Sequence, residues 1–169
     1  MNQPDGSLYE SFEKIMEYYG SRRAKRSQVP LINHITEGLD ILREEGASEY
    51  VQAAFCIHPL IQADEDLLEN IGWCVKKLHP YVVYLALEYR EYANSYLCKP
   101  ETDHYSTEAI HNLLKDCPVE VLLMLYADKL QNQKDFILYH LDTHSRSYQL
   151  KNYFEKWIYV LHALLHARN

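Results

Sequence analysis

Apolar residues recur along this chain at spacings of three and four, and each such run predicts a helix. Leu8, Phe12, Ile15, Met16 and Tyr19 make one stripe, with Ser7 placed to cap its start and Gly20 to end it. Leu31, Ile35, Leu39 and Leu42 make a second, running to Glu44 and stopped by Gly46. The stretch Tyr50 to His58 is apolar almost all round, which predicts a central helix, and Pro59 predicts its end because proline disfavours helical geometry at the residue before it. Asp64, Glu65 and Asp66 then open a helix over Leu67 to Trp73, with acids where a helix N-terminus favours them. Further helices are predicted over Tyr81 to Leu97, Ser106 to Leu114, Pro118 to His140 and Gln149 to His166, with Pro118 in a first-turn position. Lys99 to His104 reads as irregular, a lid or merely a connection. The fold class is therefore all-α, and residues 1–169 read as a single domain, without an internal repeat or long linker.

Composition agrees with that reading. With 47% hydrophobic and 24% charged residues and only 5 glycines, the chain has the make-up of a helical globular domain large enough to bury a core. No stretch approaches the ~20 apolar residues of a membrane span, and the polar start Met1 to Asp5 does not read as a secretory signal. The four cysteines, Cys56, Cys74, Cys98 and Cys117, stand singly and form no C-x-x-C pair, so they read as reduced thiols in a cytoplasmic protein. A formal charge of -7 argues against nonspecific binding to nucleic acid. Arg22, Arg23, Lys25 and Arg26 are the one strong basic cluster, either a solvated loop or a phosphate-facing strip.

Three side chains change the picture. His34 lies beside the second apolar stripe, His58 sits at the end of the central helix, and Asp128 lies inside the apolar run Val121 to Leu130. Taken singly, each histidine reads as a packed core residue. Asp128 is different, because a buried carboxylate requires a partner or a cation. Two histidines and an aspartate meeting at one point would make a minimal three-ligand site for a divalent metal, which polarises phosphoryl oxygens and activates water. The many tyrosines, 15 in all, include Tyr84, Tyr89, Tyr92 and Tyr96 on one helix, read as core or rim packing suited to stacking against a base.

The order of motifs resembles the HD-domain hydrolases, and among them the alarmone hydrolases: the hydrolase half of RelA/SpoT proteins and the small metazoan enzymes that remove pyrophosphate from (p)ppGpp. Arg22-Arg23 followed by Pro30-Leu31-Ile32-Asn33-His34 is similar to the family's opening. Ala53 to His58 resembles the helix leading into its His-Asp pair, Ala127-Asp128-Lys129-Leu130-Gln131-Asn132 its Ala-Asp-Lys-Leu-x-Asn motif, and Asn152 to Trp157 its Glu-Tyr-Phe helix. The resemblance implies an HD-type helical bundle in which His34, His58 and Asp128 hold a divalent metal, manganese first. It implies that Arg23, Lys129 and Asn132 bind the ligand, a guanine nucleotide or another phosphorylated small molecule.

The departures fall at the reaction centre. Where the family has His-Asp-x-x-Glu-Asp, this chain has His58-Pro59-Leu60-Ile61-Gln62-Ala63. Pro59 offers no ligand, Gln62 takes no proton at neutral pH and Ala63 has no polar atom. Asp64 and Asp66, just downstream, are the candidates for replacing the lost acids. Three readings follow. The domain keeps the fold and binds a nucleotide or another protein without hydrolysis; it hydrolyses a phosphate ester or pyrophosphate with an altered ligand set; or it is a structural helical module that needs no cofactor.

Overall fold

A computed structural model describes residues 7–99, 101, 104–143 and 145–167. These form eight α-helices: α1 (Ser7–Tyr19), α2 (Ile32–Glu44), α3 (Glu49–Ile61), α4 (Asp64–Lys77), α5 (Pro80–Ser95), α6 (Thr107–Leu114), α7 (Val119–Tyr139) and α8 (Ser147–Ala167). The described residues contain no strand, only an isolated antiparallel bridge between Arg23 and Pro30 that draws the α1–α2 connection into a tight loop. The all-α expectation holds. The predicted signal-free start at Met1 to Asp5 lies outside the described residues, as do Pro100, Thr102 and Asp103 of the Lys99 to His104 connection.

α3 is the axis of the bundle. Every residue from Val51 to His58 is buried, as are Leu60 and Ile61, and α1, α2, α4, α5 and α7 all pack on it. Its start is fixed by Ser48, whose side chain accepts the Val51 backbone N–H. Its end differs from the expectation: α3 runs through Pro59 to Ile61. Proline lacks an N–H and so omits one bond of the helical ladder, but in a last turn, anchored by buried Leu60 and Ile61, that loss is tolerated. The glycine stops behave as the sequence indicates, Gly20 and Gly46 both taking positive φ, 52° and 71°. Pro118 stands just before α7 rather than inside its first turn, and α4 is longer than its apolar stripe suggests. Ser7 begins α1, and its hydroxyl accepts the backbone N–H of His79, tying α1 to the start of α5.

Cys56, Cys74 and Cys117 are buried and Cys98 half-buried, and none of the four is in a disulfide. Burial pushes the Cys56 thiol up to about 12, so it packs as a small hydrophobe. No helix among the described residues is long and apolar enough to cross a membrane.

α2 crosses α3 where Gly38 faces Phe55, and a β-carbon at Gly38 would run into the Phe55 ring. This close approach brings His34, one turn earlier on α2, alongside the α3 imidazole. Gly38→Ala is expected to destabilise the fold by roughly 1–2 kcal/mol, since overpacking outweighs the gain in helix propensity. Adding Phe55→Leu should return part of that loss. Urea unfolding of the two single variants and the double variant measures it, and simple additivity would contradict the steric explanation.

Candidate metal centre

His34 from α2, His58 from α3 and Asp128 from α7 come together, their ligand atoms all within 4.8 Å of one another. The His34 Nε2 atom lies 3.3 Å from Asp128 Oδ1 and 3.4 Å from His58 Nε2. Residues spread from position 34 to position 128 of the chain thus share one point because α2, α3 and α7 pack mutually.

Each imidazole is turned by the hydrogen bond on its far side. His34 Nδ1 is 2.5 Å from Gln131 Oε1. The amide of Gln131 has only one sensible orientation, because its Nε2 donates to the carboxylates of Glu37 (3.2 Å) and Asp135 (2.9 Å). Its oxygen must therefore face His34 and accept, which places a proton on Nδ1 and leaves Nε2 as the inward lone pair. His58 Nδ1 donates to the carbonyl of Phe55 at 2.6 Å, with the same outcome for its Nε2. With both rings neutral, the two unprotonated nitrogens face each other at 3.4 Å and that of His34 also meets a carboxylate oxygen, an arrangement that calls for a cation between them, either a proton on His34 or a metal.

The electrostatics fit that description. Burial alone pushes the His34 imidazole down, but Asp128, aided by Gln131, more than reverses it, and the net shift is upward. His58 goes the other way, lowered to about 3 by burial and by its neighbour His34, so it stays neutral. Asp128 is ionised in spite of its burial because Lys129, His34 and His58 surround it. Lys129 Nζ lies 3.1 Å from Asp128 Oδ2, and Asn132 donates to Asp128 Oδ1 at 2.9 Å. The Lys129 ammonium also sits over the rings of Tyr153 and Trp157, at 5.5 Å and 5.2 Å from their centroids; burial opposes its charge, and Asp128 above all more than reverses that for a lysine only 6% exposed. Tyr89 packs its ring 4.8 Å from that of His58. Burial, reinforced by Asp128, holds its hydroxyl protonated.

The centre opens into a cavity of about 620 Å³, a size suited to a small-molecule ligand. Lys129 and Asn132 line it, together with Arg26, Arg146, Phe136 and Phe154. Arg23 does not stand on that wall: its guanidinium donates to the Gln28 carbonyl at 2.8 Å and closes the α1–α2 loop. Arg22 is likewise spent on the carbonyls of Tyr18 and Tyr19. Of the basic cluster, Arg26 is the member that reaches the cavity. Asp64 and Asp66 border a neighbouring cleft of about 590 Å³ that shares Pro59 and Gln62 with the first. Asp64 is paired with Arg90, and Asp66 accepts the Tyr18 hydroxyl at 2.8 Å.

Sequence reading did not single out Gln131, which sets the His34 tautomer, or assign Tyr89 to the centre. Gln131 lies inside a quoted motif, yet only the fold reveals that Glu37 and Asp135 meet its amide. Arg146 comes from the turn just before α8, whose packing on α7 no local pattern announces.

These donors fit a divalent ion of the kind bound by imidazole and carboxylate. Protonation of His34 competes with such an ion, and because the His34 imidazole is shifted upward, competition begins above its ordinary ~6.5. Affinity for manganese or zinc is expected to rise steadily from about pH 6 to about pH 8, and to be lost in His34→Ala and in His58→Ala. Equilibrium dialysis with elemental analysis measures it; a pH-independent isotherm, or one kept by both variants, would place the ion elsewhere.

No known family model matches the sequence, and no curated protein matches it. Among solved structures, a metazoan ortholog of SpoT that hydrolyses ppGpp and plays a role in starvation responses is similar over 100% of this chain and 99% of that one, with a TM-score of 0.60 and 16% identity. A likeness at that identity establishes the fold alone: this chain shares the all-helical architecture of that protein.

Proposed function

We propose that this chain is an HD-fold domain that binds a phosphorylated small molecule, a guanine nucleotide first among the candidates, beside a divalent metal on His34, His58 and Asp128, and turns it over poorly or not at all. The observation that carries this reading is a division within the site. The inward Nε2 atoms, the buried carboxylate and the cavity are kept, while Pro59, Gln62 and Ala63 supply no group that can take a proton from water. Gln62 is itself turned to Asn94, donating to its Oδ1 at 3.4 Å and accepting from its Nδ2 at the backbone carbonyl.

The ligand class follows from the wall. Arg26 and Arg146 line the cavity with planar guanidinium groups suited to phosphate oxygens, Arg146 while also donating to the Cys98 carbonyl at 3.4 Å, and Phe136 and Phe154 offer aromatic surface for a base. Lys129 contributes as a fixed charge held by Asp128. Manganese is the metal expected from the resemblance, and the two-nitrogen, one-oxygen donor set also suits zinc.

One observation favours a second reading, a metal-dependent phosphohydrolase with an altered acid. Asp64 and Asp66 border a cleft contiguous with the centre through Pro59 and Gln62. Their engagement with Arg90 and Tyr18 directs them away from that task.

Calorimetric titration of ppGpp in the presence of manganese is expected to register binding that weakens at least tenfold in the Arg26→Ala, Arg146→Ala double variant. Pyrophosphate release is expected to stay at background, with Pro59→Asp, Gln62→Glu and Ala63→Asp together recovering part of a general base's ~10²–10⁴-fold contribution. Robust wild-type release that His58→Ala abolishes would transfer the assignment to the hydrolase reading. Absence of binding to ppGpp, GTP and pyrophosphate alike would remove the ligand class altogether.

A further inference from the structure

Pro59 occupies the position after the metal-competent histidine, where it supplies no ligand, yet it stands in the one place that decides what the Phe55 carbonyl does. In an α-helix that carbonyl accepts the N–H of the residue four positions on, which here is residue 59. A proline has no N–H to give. The Phe55 oxygen is instead met by His58 Nδ1 at 2.6 Å, a short and fully buried contact. No other hydrogen-bond partner of that ring nitrogen is needed, and the rings of Phe55 and Tyr89 pack at 4.8 Å from the imidazole and fill the space beside it.

We propose that Pro59 is a positioning residue: by withholding its backbone N–H it frees the Phe55 carbonyl to accept the His58 Nδ1 proton, and so fixes the tautomer that presents Nε2 to the metal centre. Gln131 does the same for His34 by a side-chain route, with Glu37 and Asp135 holding its amide in place. The two imidazoles are thereby preset independently, one through the helix backbone and one through a polar network. Metal-ligating histidines commonly donate their far nitrogen to such a partner, and loss of the partner costs about 10–100-fold in affinity. The consequence for metal affinity rests on the metal reading of the site, whereas the tautomer is a property of the metal-free protein.

The test is Pro59→Ala in the full chain, a change that restores an N–H to compete for the Phe55 carbonyl. Nitrogen-detected imidazole spectra of metal-free protein at mildly alkaline pH are expected to give His58 as a single tautomer with Nδ1 protonated. In Pro59→Ala a share of the Nε2-protonated form should appear, with affinity for zinc or manganese lowered about tenfold. Circular dichroism should show the helix retained. Gln131→Leu, with Pro59 in place, should disturb the His34 nitrogens and leave those of His58 unmoved. Unchanged His58 nitrogens in Pro59→Ala would overturn the inference, as would an equal disturbance of His58 by Gln131→Leu. If the wild type takes up neither metal, the metal reading fails while the spectra still decide the tautomer.

Discussion

An ionised carboxylate at the centre of a helical bundle has to be answered by charge and by hydrogen bonds, and the interior of this protein is built around that requirement. Asp128 is 5% exposed. Lys129 answers it with a cation, Asn132 with an N–H and His34 with a ring nitrogen. Lys129 is in turn buried, and it depends on Asp128 and on the faces of Tyr153 and Trp157. The α7–α8 contact and the polar centre are thus one construction: α8 supplies the aromatic wall for the ammonium, and the ammonium holds the carboxylate in the ionised form that a metal or a protonated histidine can use. Removing either charge alone would leave the other uncompensated, which is more damaging than never having had the pair.

Much of this was legible in the sequence, and the legible parts share a cause. Helices are local, so the stripe from Leu8 to Tyr19 and the apolar run of α3 announced themselves by spacing and composition. The three residues of the centre were legible because each breaks its surroundings: His58 ends an apolar run, and Asp128 puts a charge where a neighbour should be leucine. Errors arose where two local rules competed. Pro59 predicts a helix end from backbone geometry, but burial of Leu60 and Ile61 carries the helix on to Ile61. Arg23 and Arg26 are indistinguishable by composition, and only the Arg23–Pro30 bridge decides which of them turns inward to the loop and which faces the cavity. Gln131 was illegible for a different reason. An amide acquires a role only from what faces both its ends, and here those partners are 97 and 94 residues distant in one direction and four in the other.

On the proposed reading, the placement of Pro59, Gln62 and Ala63 accounts for a binding geometry that stands apart from a hydrolytic one. His34, His58 and Asp128 are tied to the core: His58 and Asp128 are buried, and His34 is clamped between Asp128 and Gln131. Gln62 and Ala63 lie at the end of α3, where the chain passes to α4, with Ala63 exposed and forming the N-cap position of that helix. Substitution there leaves core packing untouched. Substitution at the α3–α4 corner is therefore compatible with the convergence of the ring nitrogens, whereas substitution at Asp128 or Gln131 would reach into the packing itself.

Residue 59 lies on the boundary between these two regions, and its identity trades one contribution for another. An aspartate there would offer an oxygen to a metal, but it would also restore a backbone N–H directed at Phe55 and so compete with the bond that orients His58. A proline gives up the ligand and secures the orientation. With an aspartate the site would offer a divalent ion four protein ligands; with the proline it would offer three, His34, His58 and Asp128, the two imidazoles being already oriented for binding. Preorganisation of that sort strengthens binding without accelerating any chemical step, because it serves the ground state as well as the transition state. On the proposed reading the three residues at this corner are mutually consistent, since Gln62 and Ala63 supply no proton acceptor, Pro59 supplies no ligand oxygen, and the proline alone returns something to the site by orienting His58.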